Sequence, residues 1–142
     1  MRTINLIVIH CSATKEGKDF KASDIDKWHK QRGFKKIGYH YVIDLDGTVE
    51  RGRQDSEIGA HVTGKNKNSI GICYIGGLDE KGNPKDTRTK EQKEALWDLL
   101  RILLTKYPKA QIHGHNTFAN KACPCFNVEK EYNIINLRED KK

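Results

Sequence analysis

Residues 4–12 read Ile4-Asn5-Leu6-Ile7-Val8-Ile9-His10-Cys11-Ser12. The run from Ile4 to Ile9 is rich in β-branched residues and barely alternates with polar ones. Such a run predicts a strand buried on both faces, as in a sheet covered by helices on either side. The strand ends on a histidine and a cysteine, two side chains that carry chemistry, at the point where loops begin. Strand ends beside loops are common places for sites, because a rigid element holds the side chain while the loop admits a substrate.

Working outward, Ser23 is placed to cap a helix running through about Gly33, with Ile25, Trp28 and His29 on one side at helical spacing. Tyr39 to Asp44 reads as a strand, and Asp46-Gly47 is a turn signal leading into Thr48 to Arg51, together a hairpin. Ser69 to Ile75 is a further strand, closed by Gly76-Gly77 and followed by a polar loop to Arg88. Thr89 and Gln92 have capping-box spacing, and Leu96, Leu99, Leu100, Leu103, Leu104 and Tyr107 then form an apolar stripe at i, i+3, i+4, i+7, i+8 and i+11. Pro108 stops that helix, and a short strand follows near Gln111 to His113. The order β-α-β-β-β-α-β predicts an α/β single domain, a central mixed sheet flanked by helices. The expected domain spans residues 1–136, with a polar, frayed tail over 137–142.

The 142 residues suffice for one domain with its own core, and 36% hydrophobic against 32% charged residues describes a globular chain with a solvated exterior. No apolar run approaches the roughly 20 residues of a membrane-spanning helix. The Ile4–Ile9 run is too short for the core of a secretory signal and is followed by no small-residue cleavage site, so no export address is expected. The net charge of +7 comes from lysines scattered between Lys15 and Lys142, not gathered on one helix or arm. With no aromatic-basic ladder beside them, they argue for solubility and general anion attraction over nucleic-acid recognition.

Four cysteines, Cys11, Cys73, Cys123 and Cys125, stand with six histidines. Without an export address, thiol or metal roles are expected before disulfides. Two segments concentrate the ligand types: His10-Cys11 at the end of the first strand, and His113-Gly114-His115 followed by Cys123-Pro124-Cys125. A catalytic zinc takes three protein ligands and leaves one position open, whereas a structural zinc usually takes four, often from paired C-x₂₋₄-C units that this chain lacks. A lone histidine or cysteine would be read as core packing, but clustering at two strand ends favours a metal. The spacing leaves the ligand identities open. Only one of His10 and Cys11 reaches a shared ion, because they face opposite sides of a strand. His113 and His115 share a face if extended, and Cys123 and Cys125 pose the same ambiguity. Other chemistries are excluded: there is no H-E-x-x-H, no deaminase H-x-E with P-C-x-x-C, no phosphate-cradling glycine loop and no G-x-S-x-G elbow.

Seven stretches, in order, carry a family resemblance: Val8-Ile9-His10-Cys11-Ser12-Ala13-Thr14, Trp28-His29-Lys30, Gly38-Tyr39-His40-Tyr41, Asp46-Gly47-Thr48-Val49-Glu50, Gly59-Ala60-His61, Asn68-Ser69-Ile70-Gly71 and Lys121-Ala122-Cys123-Pro124. Each is weak alone; the ordered set, over about Ile4 to Phe126, is specific. The chain resembles the phage-lysozyme type of N-acetylmuramoyl-L-alanine amidase, in the superfamily that includes the peptidoglycan-recognition proteins. The resemblance implies zinc held by His10, His115 and Cys123, with Tyr39 and Lys121 as catalytic side chains and His61 bordering a substrate groove. It also implies a monomer that hydrolyses the amide between N-acetylmuramic acid and L-alanine in bacterial peptidoglycan. The chain departs from the pattern at Cys125, where a small non-ligating residue such as serine is expected, and at His113, an additional ligand candidate.

The residues suit that chemistry. Zinc activates water and polarises a carbonyl; a thiolate ligand softens its Lewis acidity, so other donors around the transition state gain importance. Lys121, two residues before Cys123, can hold a developing oxyanion, and Tyr39 can donate a hydrogen bond or relay a proton. No motif selects a carboxylate as general base; Glu50 is a candidate. His40 and His29 read as structural, and Trp28 and Trp97 as packing. The competing readings are a wall-binding module that does not cut and a nucleic-acid-binding protein driven by charge. An enzyme of this kind without an export address is expected to accumulate in the cytoplasm of the producing cell. It would reach the wall through other machinery, as a phage lysin, a recycling enzyme or a weapon.

Overall fold

The computed structural model describes residues 2–132. Its elements are β1 (Leu6–Cys11), β2 (Thr14–Lys15), α1 (Ala22–Gln31), β3 (Tyr41–Ile43), β4 (Val49–Arg51), β5 (Ser69–Tyr74), β6 (Gly77–Leu78), α2 (Lys90–Lys106), β7 (Gln111–Gly114) and α3 (Val128–Glu131). Five strands form one sheet in the order β4-β3-β5-β1-β7, with only β4 antiparallel to its neighbour. β2 and β6 make a small parallel pair beside it. The expected boundary at residue 136 and the tail from 137 lie outside the described residues.

The topology follows from two crossovers that run in opposite directions. The connection from β1 to β3 passes over β5 and carries α1; that from β5 to β7 passes over β1 and carries α2. Connections of the same hand running opposite ways put their helices on opposite faces, and the core divides accordingly. Leu96, Leu99, Leu100, Leu103 and Leu104 of α2 pack on Ile7, Ile9, Cys11, Ile43, Ile70, Ile72 and Tyr74. On the other face, Ile25 of α1 packs with Ile37, Val42, Cys73 and Ile75, and Trp28 lies against them. Each fully buried Ile or Leu contributes on the order of 1.5–3 kcal/mol of transfer free energy, so β1, sandwiched between both layers, is the firmest platform in the molecule.

Local expectations were met at the long helix, where the Thr89 hydroxyl accepts from the Gln92 N–H and the Gln92 side chain accepts from the Thr89 N–H. They were met again at the hairpin, where Gly47 turns with φ of 88° and β3 pairs with β4. The start of α1 differs. The helix begins at Ala22, before Ser23, and its first amides are taken by carboxylates: Asp24 accepts from the Lys21 N–H at 2.8 Å and Glu50 from the Ala22 N–H at 2.9 Å. Glu50 arrives from β4, so the cap is a tertiary contact that also satisfies the positive end of the helix dipole. The strand expected over Tyr39–Asp44 is shorter, Tyr41–Ile43, although the Tyr39 and His40 carbonyls still accept from the Arg53 and Gly52 N–H.

The segment after β7 is pinned from below. The Tyr74 hydroxyl donates to the Pro124 carbonyl at 2.6 Å. Arg88, fully buried at its side chain, pairs with Asp86 and Glu131, donates to the Tyr132 hydroxyl and lies 3.4 Å from the centre of the Phe126 ring. These contacts fix the loop of residues 119–126 against the sheet.

Candidate metal centre and its groove

β1 turns His10 toward Tyr39 and His61 on the α1 face of the sheet and Cys11 into the core on the α2 face. Parallel pairing sets Ile9 opposite Gly114 on β7, so the chain places His115 beside His10 as it leaves the strand. The pinned loop then brings Cys123 over both. The Nδ1 atoms of His10 and His115 lie 3.2 Å apart, and Cys123 Sγ is 3.9 Å from His10 Nδ1. Among the described residues this is the one group of three or more such donors that could share an ion, all within 4.8 Å of one another. The donor set fits zinc. With bonds of about 2.0–2.1 Å to nitrogen and 2.3 Å to sulfur, a tetrahedral ion separates its ligand atoms by roughly 3.3–3.6 Å.

The electrostatics are consistent with that use. Burial, then the neighbouring His61, His115 and His29, hold His10 well below the ordinary imidazole range, and burial followed by Lys121 lowers His115. Both rings are therefore neutral, as ligands must be. The Cys11 backbone N–H points at Cys123 Sγ at 3.2 Å, a donor suited to a thiolate.

The other candidates go elsewhere. Cys11 Sγ lies 4.0 Å from Cys125 Sγ. The Cys123 contact and burial push the Cys11 thiol up, and burial and Cys11 push Cys125 up to about 12, so both remain protonated near neutrality. His113 turns away to Glu129 and Gln111, because β7 ends at Gly114 and His115 opens a short 3₁₀ turn. His40, fully buried, accepts from the Gly71 N–H and donates to the Glu57 carbonyl; His29 accepts from the Gly38 N–H. Glu50 is spent at the start of α1.

A groove of about 530 Å³ opens over the triad. Tyr39, His61, Trp28, Arg32, Phe34, Phe118 and Lys121 are among its walls, and among the described residues no carboxylate lines it. The half-buried Tyr39 ring stands 4.9 Å from that of His10; burial, then the thiols of Cys73, Cys123 and Cys11, raise its phenol well above the ordinary value, so it stays a donor. Lys121 is exposed at the rim. His61 both lines the groove and touches His10, its Nδ1 lying 2.9 Å from His10 Nε2. Burial and the nearby His40 push His61 down to about 3. Sequence reasoning missed Asn66, whose side-chain oxygen accepts from the backbone N–H of both His61 and Val62, and Ser69, 3.0 Å from His61 Nε2. Asn66 bears no local signal, and Ser69, though inside the Asn68–Gly71 stretch, meets His61 only through the fold.

Comparison with known proteins agrees with this architecture. Residues 1–126 match the family described as N-acetylmuramoyl-L-alanine amidase. The endolysin of Enterobacteria phage K11 is 46% identical over 122 residues, covering 86% of this chain and 81% of that protein. Among solved structures, the N-acetylmuramoyl-L-alanine amidase LysC from Clostridium intestinale superposes with a TM-score of 0.80 at 31% identity, over 95% of this chain and 87% of that one. Drosophila PGRP-LB gives 0.77 at 25% identity, over 93% and 81%.

Proposed function

Because the chain belongs to the N-acetylmuramoyl-L-alanine amidase family, we propose that its groove hydrolyses the lactyl-alanine amide of bacterial peptidoglycan with a zinc ion held by His10, His115 and Cys123. The observation that carries this reading is the convergence of those three donor atoms beside a groove whose lining includes His115, Cys123, Tyr39 and Lys121. A zinc ion there would supply Lewis acidity toward the amide carbonyl and a lowered pKa for water, with one coordination position left open by three protein ligands.

The chain's own residues account for the rest. Amide hydrolysis develops negative charge on the carbonyl oxygen and requires a proton for the departing amine. The Lys121 ammonium, at the rim, offsets the oxygen's charge, and the Tyr39 phenol, protonated through burial, donates a hydrogen bond or passes a proton. Tyr39 is held for that task on its backbone, where its carbonyl accepts from the Arg53 N–H at 2.9 Å. Arg32 and Lys121, with no carboxylate among the described residues opposing them in the groove, suit the anionic groups of a stem peptide. No helix among the described residues is long and apolar enough to cross a membrane.

The test is mass analysis of purified peptidoglycan after digestion. The expected products are new L-alanine amino groups on free stem peptides and glycan chains of unchanged length. Activity should vanish on chelation and return with zinc. New reducing ends would mean a glycosidase, and free D-amino-acid termini a peptidase; either product overturns the reading.

A further inference from the structure

His10 has a second nitrogen, and the structure gives it a partner of its own. Nδ1 faces His115 and Cys123, while Nε2 lies 2.9 Å from Nδ1 of His61; the far nitrogen of His61 is in turn 3.0 Å from Ser69 Oγ. Only one proton arrangement lets His10 offer a lone pair at Nδ1. Its proton must sit on Nε2 and be donated to His61 Nδ1, which then carries its own proton on Nε2 and donates to Ser69.

The chain is built in. Ser69 is fully buried at the start of β5. The His61 ring is cradled by two glycines: a Cβ at Gly71 would stand 2.7 Å from its Cγ, and one at Gly59 2.8 Å from its Cδ2. Asn66 fixes the backbone at His61 from the other side. A side chain that only bordered the groove would need none of these supports.

We propose that His61, backed by Ser69, is a positioning residue that locks His10 as its Nε2–H tautomer and aims Nδ1 at the metal centre. The proposal rests on the zinc reading above. It assigns His61 an action through His10, where the family resemblance implied a place along the substrate. Partners of this kind typically contribute 10–100-fold to metal affinity.

Two measurements on the full chain test it. In competition titrations with a chromophoric chelator, His61→Ala should bind zinc about 10–100-fold more weakly, and Ser69→Ala should show a smaller loss. His61→Asn, whose Oδ1 can replace the lost acceptor, should recover most of the affinity. Long-range ¹⁵N–¹H spectra of the metal-free protein should show His10 as the Nε2–H tautomer in wild type and as a mixture in His61→Ala. Wild-type zinc affinity in His61→Ala, with a raised KM for a soluble muropeptide, would make His61 a substrate contact and overturn the proposal. If the wild type takes up no zinc, the metal reading fails on its own. The spectra still decide this proposal: tautomer control lost with His61 supports it, and an unchanged His10 tautomer refutes it.

Discussion

Cys123 and Cys125 stand two residues apart, yet one faces His10 and the other faces the Cys11 thiol 4.0 Å away. Removing a member of a three-ligand set should empty it, so Cys123→Ala is expected to lose zinc by metal analysis while Cys125→Ala keeps a full equivalent. The reverse pattern would mean that the other thiol binds. Tyr39 and Lys121 lie outside the donor set, so Tyr39→Phe and Lys121→Ala should retain zinc and fold but lose kcat on the order of 10²-fold or more. Wild-type turnover in both would make Tyr39 packing and Lys121 surface. At this scale the sequence was half legible. Side-chain alternation already said that only one of His10 and Cys11 could serve. That His115 and not His113 lies against His10 depends on where β7 stops, and that Cys123 and not Cys125 does so depends on how Tyr74 and Arg88 pin their loop. Both are long-range contacts that spacing does not encode.

The elements show the same division between local and distant causes. α2 was legible because its cap and its stripe lie within its own residues; the start of α1 was not, because Glu50 supplies its cap from another strand. That arrangement leaves a second carboxylate exposed to the consequences. Asp44, at the end of β3, is 3% exposed and has one oxygen with no hydrogen-bond partner. Burial first, then its contact with Glu50, push it up to about 7. A carboxyl whose folded pKa exceeds its unfolded one holds its proton in the folded state while the unfolded chain releases it. Its contribution is therefore fully present below about pH 4, and stability falls as pH rises from there through 7. Asp44→Asn removes the charge, so it should raise the urea midpoint at pH 8 and leave it nearly unchanged at pH 4. An equal gain at both values would show that ionisation is not the cause.

For the whole molecule, the layered α/β fold and its order of elements were readable from periodicity and turn residues, and the small β2–β6 pair and α3 were too short to leave such a signal. What periodicity could not convey is how closure of the fold and assembly of the site become one event. The three donors come from the end of β1, the exit of β7 and the loop after it, so they meet only when β7 has paired with β1 and Arg88 has drawn the loop down. An unfolded chain would hold His10 more than a hundred positions from His115 and Cys123, with no preformed site. A ligand that binds the folded state alone stabilises it by about 2.7 kcal/mol at a hundredfold excess over its Kd. For a chain of this size that is an increase in Tm of roughly 5–10 °C. Thermal melts of chelator-treated protein with and without added zinc should show that increase, and Cys123→Ala should show almost none of it. An equal rise in Cys123→Ala would mean that zinc stabilises the chain from some other place. A wild type indifferent to zinc would mean that these three side chains, however close, hold no ion.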